Sequence, residues 1–438
     1  MWCTTGYLFA SGLLLAGAAL AQERGTITRD GMGFVEHIEK SAATEKGDTL
    51  YLTTPRGGIT LQSWNKDEVR VEVKKMADAF TESSARELLD RAQVFIDSEG
   101  KSVRVRVEAQ GDVDWDDLDF SFTLSVPKTY NVDLHTSGGG IEVGDLEGQV
   151  LAKTAGGGIE VGQIKNGKVA VETAGGGIEV AGVQGGDCLT KTAGGGIDIG
   201  EVTGSVDAQT AGGGIDIKKV GGEVRAKTAG GGIDIGAGGT RVYAETAGGG
   251  IDIGPVQGSV EAHTAGGGIE IGPTGGDVKV ETAGGGIEIG ESKGAVEAKT
   301  AGGGITVAGS SGPVRVHTSG GGIEIAKARG AIDAETAGGG IDAELALTDM
   351  AADGHCSLKT AGGDLTLYLP ALLPATIDAR LHIERKVGRD YRIYSDFPIT
   401  IQGEGTKLLT GKGEANGGGN TIYLETTNGD IYIKKGSK

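Results

Sequence analysis

Along most of this chain apolar and polar positions alternate in short bursts, interrupted at fixed intervals by three glycines. In Gly258–Gly272, Val260, Ala262 and Thr264 alternate with Glu261 and His263, the period-two pattern of a half-buried strand. Three glycines follow, and Ile269 and Ile271 then bracket Glu270 in a second short strand before a Gly-Pro turn. Glycine tolerates positive φ and close backbone approach, so the glycine run is expected to turn the chain. Each repeat is therefore expected to hold two strands and two turns, with Val and Ala of one strand facing Ile and Ile or Val of the other.

The phrase Thr-Ala/Ser-Gly-Gly-Gly-Ile recurs twelve times, beginning at Thr136, Thr154, Thr173, Thr192, Thr210, Thr228, Thr246, Thr264, Thr282, Thr300, Thr318 and Thr336. The step is 18 residues, with two early steps of 19. A unit this short cannot bury its own apolar face, so it must stack on its neighbours. Antiparallel hairpins could be drawn from the same units, but a constant period with identical turns favours in-register parallel coils. The expected fold is all-β: a single-stranded parallel β-solenoid (β-helix) of about 15 rungs with 18-residue repeats. Its ends depart from the pattern. Residues 48–61 look like a divergent first rung. Strands at Val69–Val73 and Val103–Val107 flank a helix near 84–96, read from a capping box at Ser84 and Glu87 and from Ala85, Leu88, Leu89, Ala92, Phe95 and Ile96. That helix is expected to cap the open core. After Asp342 the period stretches to 24 residues, then resumes at Thr360-Ala-Gly-Gly-Asp-Leu and closes with Thr427–Ile433. The expected organisation is a leader at 1–21, a capping region at 22–135, twelve repeats at 136–342 and irregular rungs with a cap at 343–438.

Outward positions carry the charge. The residue before each repeat's Thr alternates in sign for much of the ladder, as in Lys153, Glu172 and Lys191, which favours neighbours one rung apart. The residue after each Gly-Gly-Gly-Ile is instead an acid in eleven of twelve rungs, Thr306 being the exception. In-register stacking sets these like charges about 5 Å apart, where each pair repels by about 0.9 kcal/mol even in bulk water. A solubility device that blocks lateral aggregation is one reading of this face. A weak surface for Ca²⁺ or Mg²⁺, with Asp198, Asp216, Asp234 and Asp252 as its contacts, is the other. No further cofactor is expected.

Composition narrows the setting. Residues 1–21 contain no charged side chain, hold an apolar run from Leu13 to Leu20 and end in Ala19-Leu20-Ala21 before Gln22. That is a secretory leader lacking the usual n-region cation, and too short an apolar run to span a bilayer comfortably. An exported chain, periplasmic, extracellular or at the cell surface, with no membrane span after cleavage, is expected. The net charge of −19 disfavours nucleic acid and anionic lipid as partners. An envelope or surface component of unknown identity remains as the partner. Cys188 and Cys356 fall at equivalent inward positions nine repeats apart, about 43 Å, beyond disulfide reach. Both read as small buried hydrophobes.

Candidate chemistry is sparse. Gly162-Gln-Ile-Lys-Asn-Gly167-Lys168-Val169 approaches a phosphate-binding loop but ends in Val where Ser or Thr would hold Mg²⁺, and the period makes it an inter-rung turn. Asp112–Asp119 begins like a calcium loop, yet Asp117 stands where glycine is needed and Thr123 where Glu is needed, so it reads as an acidic turn before a strand at Phe120–Val126. The toxin-type Gly-rich calcium nonapeptide is excluded because the carboxylate comes one residue too early. His263 and His317 share a ladder position but lie three rungs apart, too far for one metal. Between Thr136 and Asp342 the sole aromatic residue is Tyr243. A polysaccharide-active β-helix enzyme is the catalytic alternative. It needs a unique cluster of Asp, Lys or Arg with exposed aromatics, which near-identical rungs do not supply.

Phe122-Thr-Leu-Ser-Val-Pro127, then Tyr130-Asn-Val-Asp-Leu, Leu367-Tyr-Leu-Pro370 and the closing Thr427-Asn-Gly-Asp-Ile-Tyr-Ile433 resemble, in that order, the bacterial β-strand-repeat "putative adhesin" family, a domain of unknown function. The resemblance covers residues 48–435. It implies a single-chain parallel β-solenoid and no catalytic residues. This chain departs from that pattern in the number and near-identity of its rungs. The reading from sequence is a non-catalytic, exported cell-envelope protein, adhesin-like or structural, presenting a long acidic surface.

Overall fold

A computed structural model describes residues 24–31, 33–111, 113–384 and 390–436; the leader at 1–21, Cys3 and Asp112 lie outside them. Each regular repeat contributes one strand to each of two long parallel sheets. In the first, the Thr-bearing strands stack in register, as in Val260↔Val278, Ala262↔Val280 and Thr264↔Thr282. In the second, the Ile-bearing strands do the same, as in Ile251↔Ile269 and Ile253↔Ile271. Val260, Ala262, Ile269 and Ile271 are all buried, so the apolar sets of the two strands meet as the alternation requires.

The cross-section has a third side that the two-strand reading of a repeat omitted. One residue after the Gly corner also points inward and stacks on its copies. Ile164, Val183, Val202 and Val220 pair in succession, and single bridges carry the row on through Gly238, Val256, Thr274 and Ser292. These positions are buried, so the core is a three-sided slot. The turns concealed them, because only one residue per rung marks this side.

The invariance of the repeated phrase has two causes. The first is the threonine hydroxyl, which donates to the middle-glycine carbonyl of the preceding rung and accepts from a glycine N–H of its own turn. Thr264 Oγ1 donates to Gly249 O at 2.7 Å, and Gly267 N donates to Thr264 Oγ1 at 3.4 Å. The donating bond recurs from Thr136 to Gly57 at one end through Thr426 to Gly363 at the other. The second is crowding. A Cβ at the middle glycine Gly267 would lie 2.4 Å from Gly249 O and from Gly250 N, inside the backbone of the rung below. None of the twelve three-glycine runs enters positive φ; Gly57 and Gly363, in the irregular rungs at either end, do. Of the two properties of glycine that the sequence points to, backbone-on-backbone approach is the one used here, and positive φ is not.

Both ends close by the chain doubling back. Thr49–Thr54 pairs in parallel with Asn131–Thr136, and Gly58–Trp64 with Ile141–Val143, so the divergent rung at 48–61 sits directly beneath the first regular one. The intervening chain builds the cap. Ser102–Ala109 and Leu118–Pro127 add the next parallel layer, and antiparallel strands Ala92–Glu99, Glu68–Ala77, Gly33–Ala43 and Thr26–Asp30 end it. The helix is shorter than expected, Glu82–Arg91, and its N-cap is Thr81, whose hydroxyl accepts from Ser84 N. Ala92, Phe95 and Ile96 belong to the next strand. There Val94 and Ile96 enter the core while Arg106 lies over the Phe95 ring, a period of two that overrode the apparent helical stripe. Ala85 and Leu89 are the buried helix residues. Beneath them Lys75, fully buried, donates to Glu36 Oε2 and to Leu89 O, each at 2.7 Å. Desolvation lowers its pKa, and the bond to Glu36 opposes that shift.

At the other end Asn420–Thr427 and Ile431–Lys435 stack on Cys356–Thr360 and Leu365–Leu369. Ala375–His382 and Ile393–Ser395 lie outside them, so the last rung in sequence is not the last in space. Antiparallel strands Leu408–Ala415 and Thr400–Gln402 complete the edge, and Tyr394 stacks on Tyr432 with ring centroids 5.0 Å apart.

Two isosteric substitutions should therefore act in opposite directions. Thr264→Val removes an inter-rung bond and should destabilise the chain by about 1–2 kcal/mol. Thr190 is buried at the position held by Val171 and Ala208 in adjacent rungs, and its hydroxyl has no partner. Thr190→Val should stabilise by about 1 kcal/mol. Chemical denaturation checks both, and shifts of the same sign would contradict the assignment.

Candidate functional site

The feature that the sequence singled out is the outward row on the Ile sheet. Alternation with two buried residues leaves the middle residue of each Ile-x-Ile strand pointing to solvent, and register alignment does the rest. Glu142, Glu160, Glu179, Asp198, Asp216, Asp234, Asp252, Glu270 and Glu288 follow one another without interruption. Thr306 breaks the row, and Glu324 and Asp342 resume it. Asp198, Asp216, Asp234 and Asp252 are all exposed and occupy four consecutive rungs.

A shallow groove runs beside this row. Its floor is the third glycine of each run, such as Gly214 and Gly232, and the carboxylates form one wall. One stretch, from Gly196 to Thr306, encloses about 880 Å³, and a second, of about 560 Å³, continues it from Gly58 to Asp198. Asp234 shows the electrostatic consequence. Its carboxyl is held above the ordinary Asp range by burial against the groove first, then by Asp216 and Asp252 on either side. No lysine or arginine among the described residues forms an ion pair with these four carboxylates.

The other outward row behaves oppositely. Lys153 pairs with Glu172 at 2.8 Å one rung away, and Lys227 pairs with Glu245. The hydrogen bond from Lys153 pulls the Glu172 pKa down, and that from Lys227 does the same to Glu245. Charge matching between rungs was thus available to this architecture and is absent at Asp198, Asp216, Asp234 and Asp252.

This geometry selects among chemistries. Carboxylates one rung apart stand in line, about 4.8 Å from their neighbours, and do not converge. A caged Ca²⁺ wants six to eight oxygens around one point. Among the described residues, no three His, Cys, Asp or Glu side chains gather as a metal set. Carboxylates closer than about 7 Å, the separation at which two charges in water interact with thermal energy, instead repel along the row.

The remaining sequence candidates resolve into structure. Gly162–Val169 runs from the strand Ile159–Lys165 through a turn at Asn166, in the left-handed region, into Val169–Thr173. In the acidic segment Asp114 caps a short 3-10 turn at Trp115–Asp117, and Arg56 clamps it through Asp116 at 3.0 Å and Trp115 O at 2.7 Å. His263 and His317 each face a glutamate, Glu261 at 3.3 Å and Glu335 at 3.8 Å. Cys188 and Cys356 are free and buried, and burial pushes both thiols up to about 12. The sequence reading did not single out a basic groove on the third side, at Lys293, Lys327 and Arg329. The step of 18 from Lys293 to Ser311 to Arg329 was the available signal.

No family model and no curated protein matches this chain. Among solved structures it is similar to a "putative cell adhesion protein" from Clostridium sporogenes, at 7% identity over 92% of this chain and 100% of that one, with a TM-score of 0.16. It is similar also to a "putative adhesin" from Bacteroides fragilis, at 9% identity over 91% and 97% of the two chains, TM-score 0.19. A third, from Parabacteroides distasonis, is 10% identical over 68% and 97%, TM-score 0.20. The designations coincide with the resemblance read from sequence. At such scores the superpositions carry no argument about what this chain does.

The raised pKa of Asp234 fixes the sign of a pH effect. The folded chain binds this proton more readily than the unfolded chain, so stability falls as pH rises from the ordinary carboxyl range through the raised value. The penalty is then fully in place at neutral pH. Asp234→Asn should raise the melting temperature at pH 7 in low salt. The gain should vanish below about pH 3.5 and shrink as salt screens the row. A gain that persists at acid pH would mean that repulsion is not its source.

Proposed function

We propose that this protein is a non-catalytic rod of the cell envelope, adhesin-like or structural, which acts outside the cytoplasm through the repetition of its outer surface. The observation that carries the reading is the in-register stacking of near-identical rungs, which offers the same side chains at every step. A catalytic centre needs a constellation found once. A ladder offers many equal and individually weak contacts, whose sum grows with the number of rungs engaged. The filled core leaves this outer surface as the place where a partner would be met.

The leader supports export, with Gln22 as the first residue of the mature chain. No helix among the described residues is long and apolar enough to cross a membrane. The acidic row supports a further property, weak and collective retention of divalent cations along Asp198, Asp216, Asp234 and Asp252. In this reading Ca²⁺ relieves the repulsion between rungs without entering a dedicated cage.

Production of the full chain with its own leader in a bacterial host tests the proposal. The protein should be recovered outside the cytoplasm with a mass that starts at Gln22. Beads carrying it should retain envelope fragments, and removal of five repeats, Ala155–Thr246, should leave a folded rod that retains them at least about tenfold less well. Binding unchanged by that deletion would contradict multivalent recognition, and a cytoplasmic chain that keeps Met1 would contradict export. Release of reducing ends from an acidic polysaccharide would make the chain an enzyme.

A further inference from the structure

The third side of the solenoid carries a groove whose charge is opposite to that of the molecule. Lys293, Ser311 and Arg329 occupy the same position in three consecutive rungs. Their N–H groups bond in turn to Thr274 O at 3.0 Å, Ser292 O at 2.9 Å and Ser310 O at 2.8 Å, which stacks the three side chains one rung apart. The backbone positions of Lys293 and Arg329 therefore lie about 9.6 Å apart, with Ser311 between them. Lys327 joins them, and together they line a cavity of about 630 Å³ whose walls also include Gln257 and Glu291. Three cations face one acid, in a chain with a net charge of −19.

Two features set this place apart from an incidental cluster. Lys327 has φ of 50°, and the pairing register shifts between Ile325 and Ala328. The other non-glycine residues with positive φ among the described residues are Asn166, Asn416 and Asn428, of a type that tolerates it. A bulge at a lysine re-aims a side chain at a local cost in backbone strain. The second feature is Gly309 in the cavity wall. A Cβ there would lie 3.5 Å from Glu291 Cγ and 3.9 Å from Lys327 Cβ, which is ordinary contact. Unlike Gly267, this glycine is not demanded by stacking; its effect is to leave the groove open. Lys293, Lys327 and Arg329 form no ion pair with any described residue, whereas Lys153 and Lys227 on the Thr sheet do.

We propose that the third-side groove between Gln257 and Arg329 binds a multiply charged oxyanion group, of the phosphate or sulfate class. Arg329 supplies a planar pair of donors, Lys293 and Lys327 supply point charges, and Ser311 supplies a hydroxyl. The groove is separate from the acidic row, and its occupancy does not depend on the rod being an adhesin.

Calorimetric titration of the purified full chain at low salt, with inorganic phosphate, inorganic sulfate and dextran sulfate as probes, tests the site. Heat with the small ions assigns recognition to a single anionic group, and heat with dextran sulfate alone assigns it to groups borne on a polymer; either supports the site. Lys293→Gln, Lys327→Gln and Arg329→Gln combined should weaken binding at least about tenfold with melting unchanged. Gly309→Gln, which fills the groove without altering charge, should weaken it comparably. A control with the same loss of charge elsewhere, Lys165→Gln, Lys218→Gln and Lys219→Gln, should bind as the parent does. Equal weakening in both triple variants, undiminished binding by Gly309→Gln, or no heat with any probe would overturn the proposal.

Discussion

The structure depends on the close approach of one glycine backbone to the next, held by a threonine hydroxyl that reaches across the gap. At Gly267 no side-chain atom fits between rungs, and Thr264 ties the same corner to Gly249. Because this contact is made of backbone, it enforces one register and repeats without adjustment. The Ile and Val positions then have no freedom to slip: a shift by one residue would exchange buried Ile269 with exposed Glu270. The core is narrow because the corner is sharp, and this is why Val, Ala, Ile and Thr fill most of it and, among the described residues, buried aromatic side chains lie only at the ends.

The same constraint produces the electrostatics. Register stacking multiplies whatever residue stands at an outward position, so a charge becomes a row. On the Thr sheet alternation turns the row into paired contacts such as Lys153 with Glu172. On the Ile sheet the row stays acidic, and Asp234 registers the cost in its raised pKa. On the third side the row changes character along the rod, from Glu147 near one end to Lys293 and Arg329 near the other. A solenoid with nearly uniform rungs thus carries three chemically distinct faces, and only the third varies enough to hold a local site.

Much of this was legible in the chain itself. The period of 18 points to the parallel stack, and the phrase resuming at Thr360 marks a further rung, which stacks on Ile332–Thr336. What escaped had specific causes. The helix is shorter than its stripe suggests because Phe95 and Ile96 fall at helical spacing from Leu88 and Leu89, while the cross-strand partners Arg106 and Val105 that pull them into a sheet lie eleven and nine residues onward. Positive φ and close backbone approach are both open to glycine, and a single repeat does not show which is used, because the crowding comes from another rung. The third inward row was hidden because one residue per rung makes no alternation. The ends were opaque for a topological reason: in both caps, segments distant in sequence become neighbouring layers, as Thr49–Thr54 and Asn131–Thr136 do. Alternation alone marks the outward residues of the acidic row, whereas the basic groove shows in the chain only as the step of 18 from Lys293 to Arg329 and takes its shape from the bulge at Lys327.

The central claim is that each repeat adds one rung to a rod of constant section. Small-angle scattering on chains carrying three extra copies of Ala265–Thr282 tests it most directly. The account predicts that the maximum dimension grows by about 14 Å while the cross-sectional radius stays fixed. Growth in radius with no growth in length, or loss of the rod profile, would contradict it.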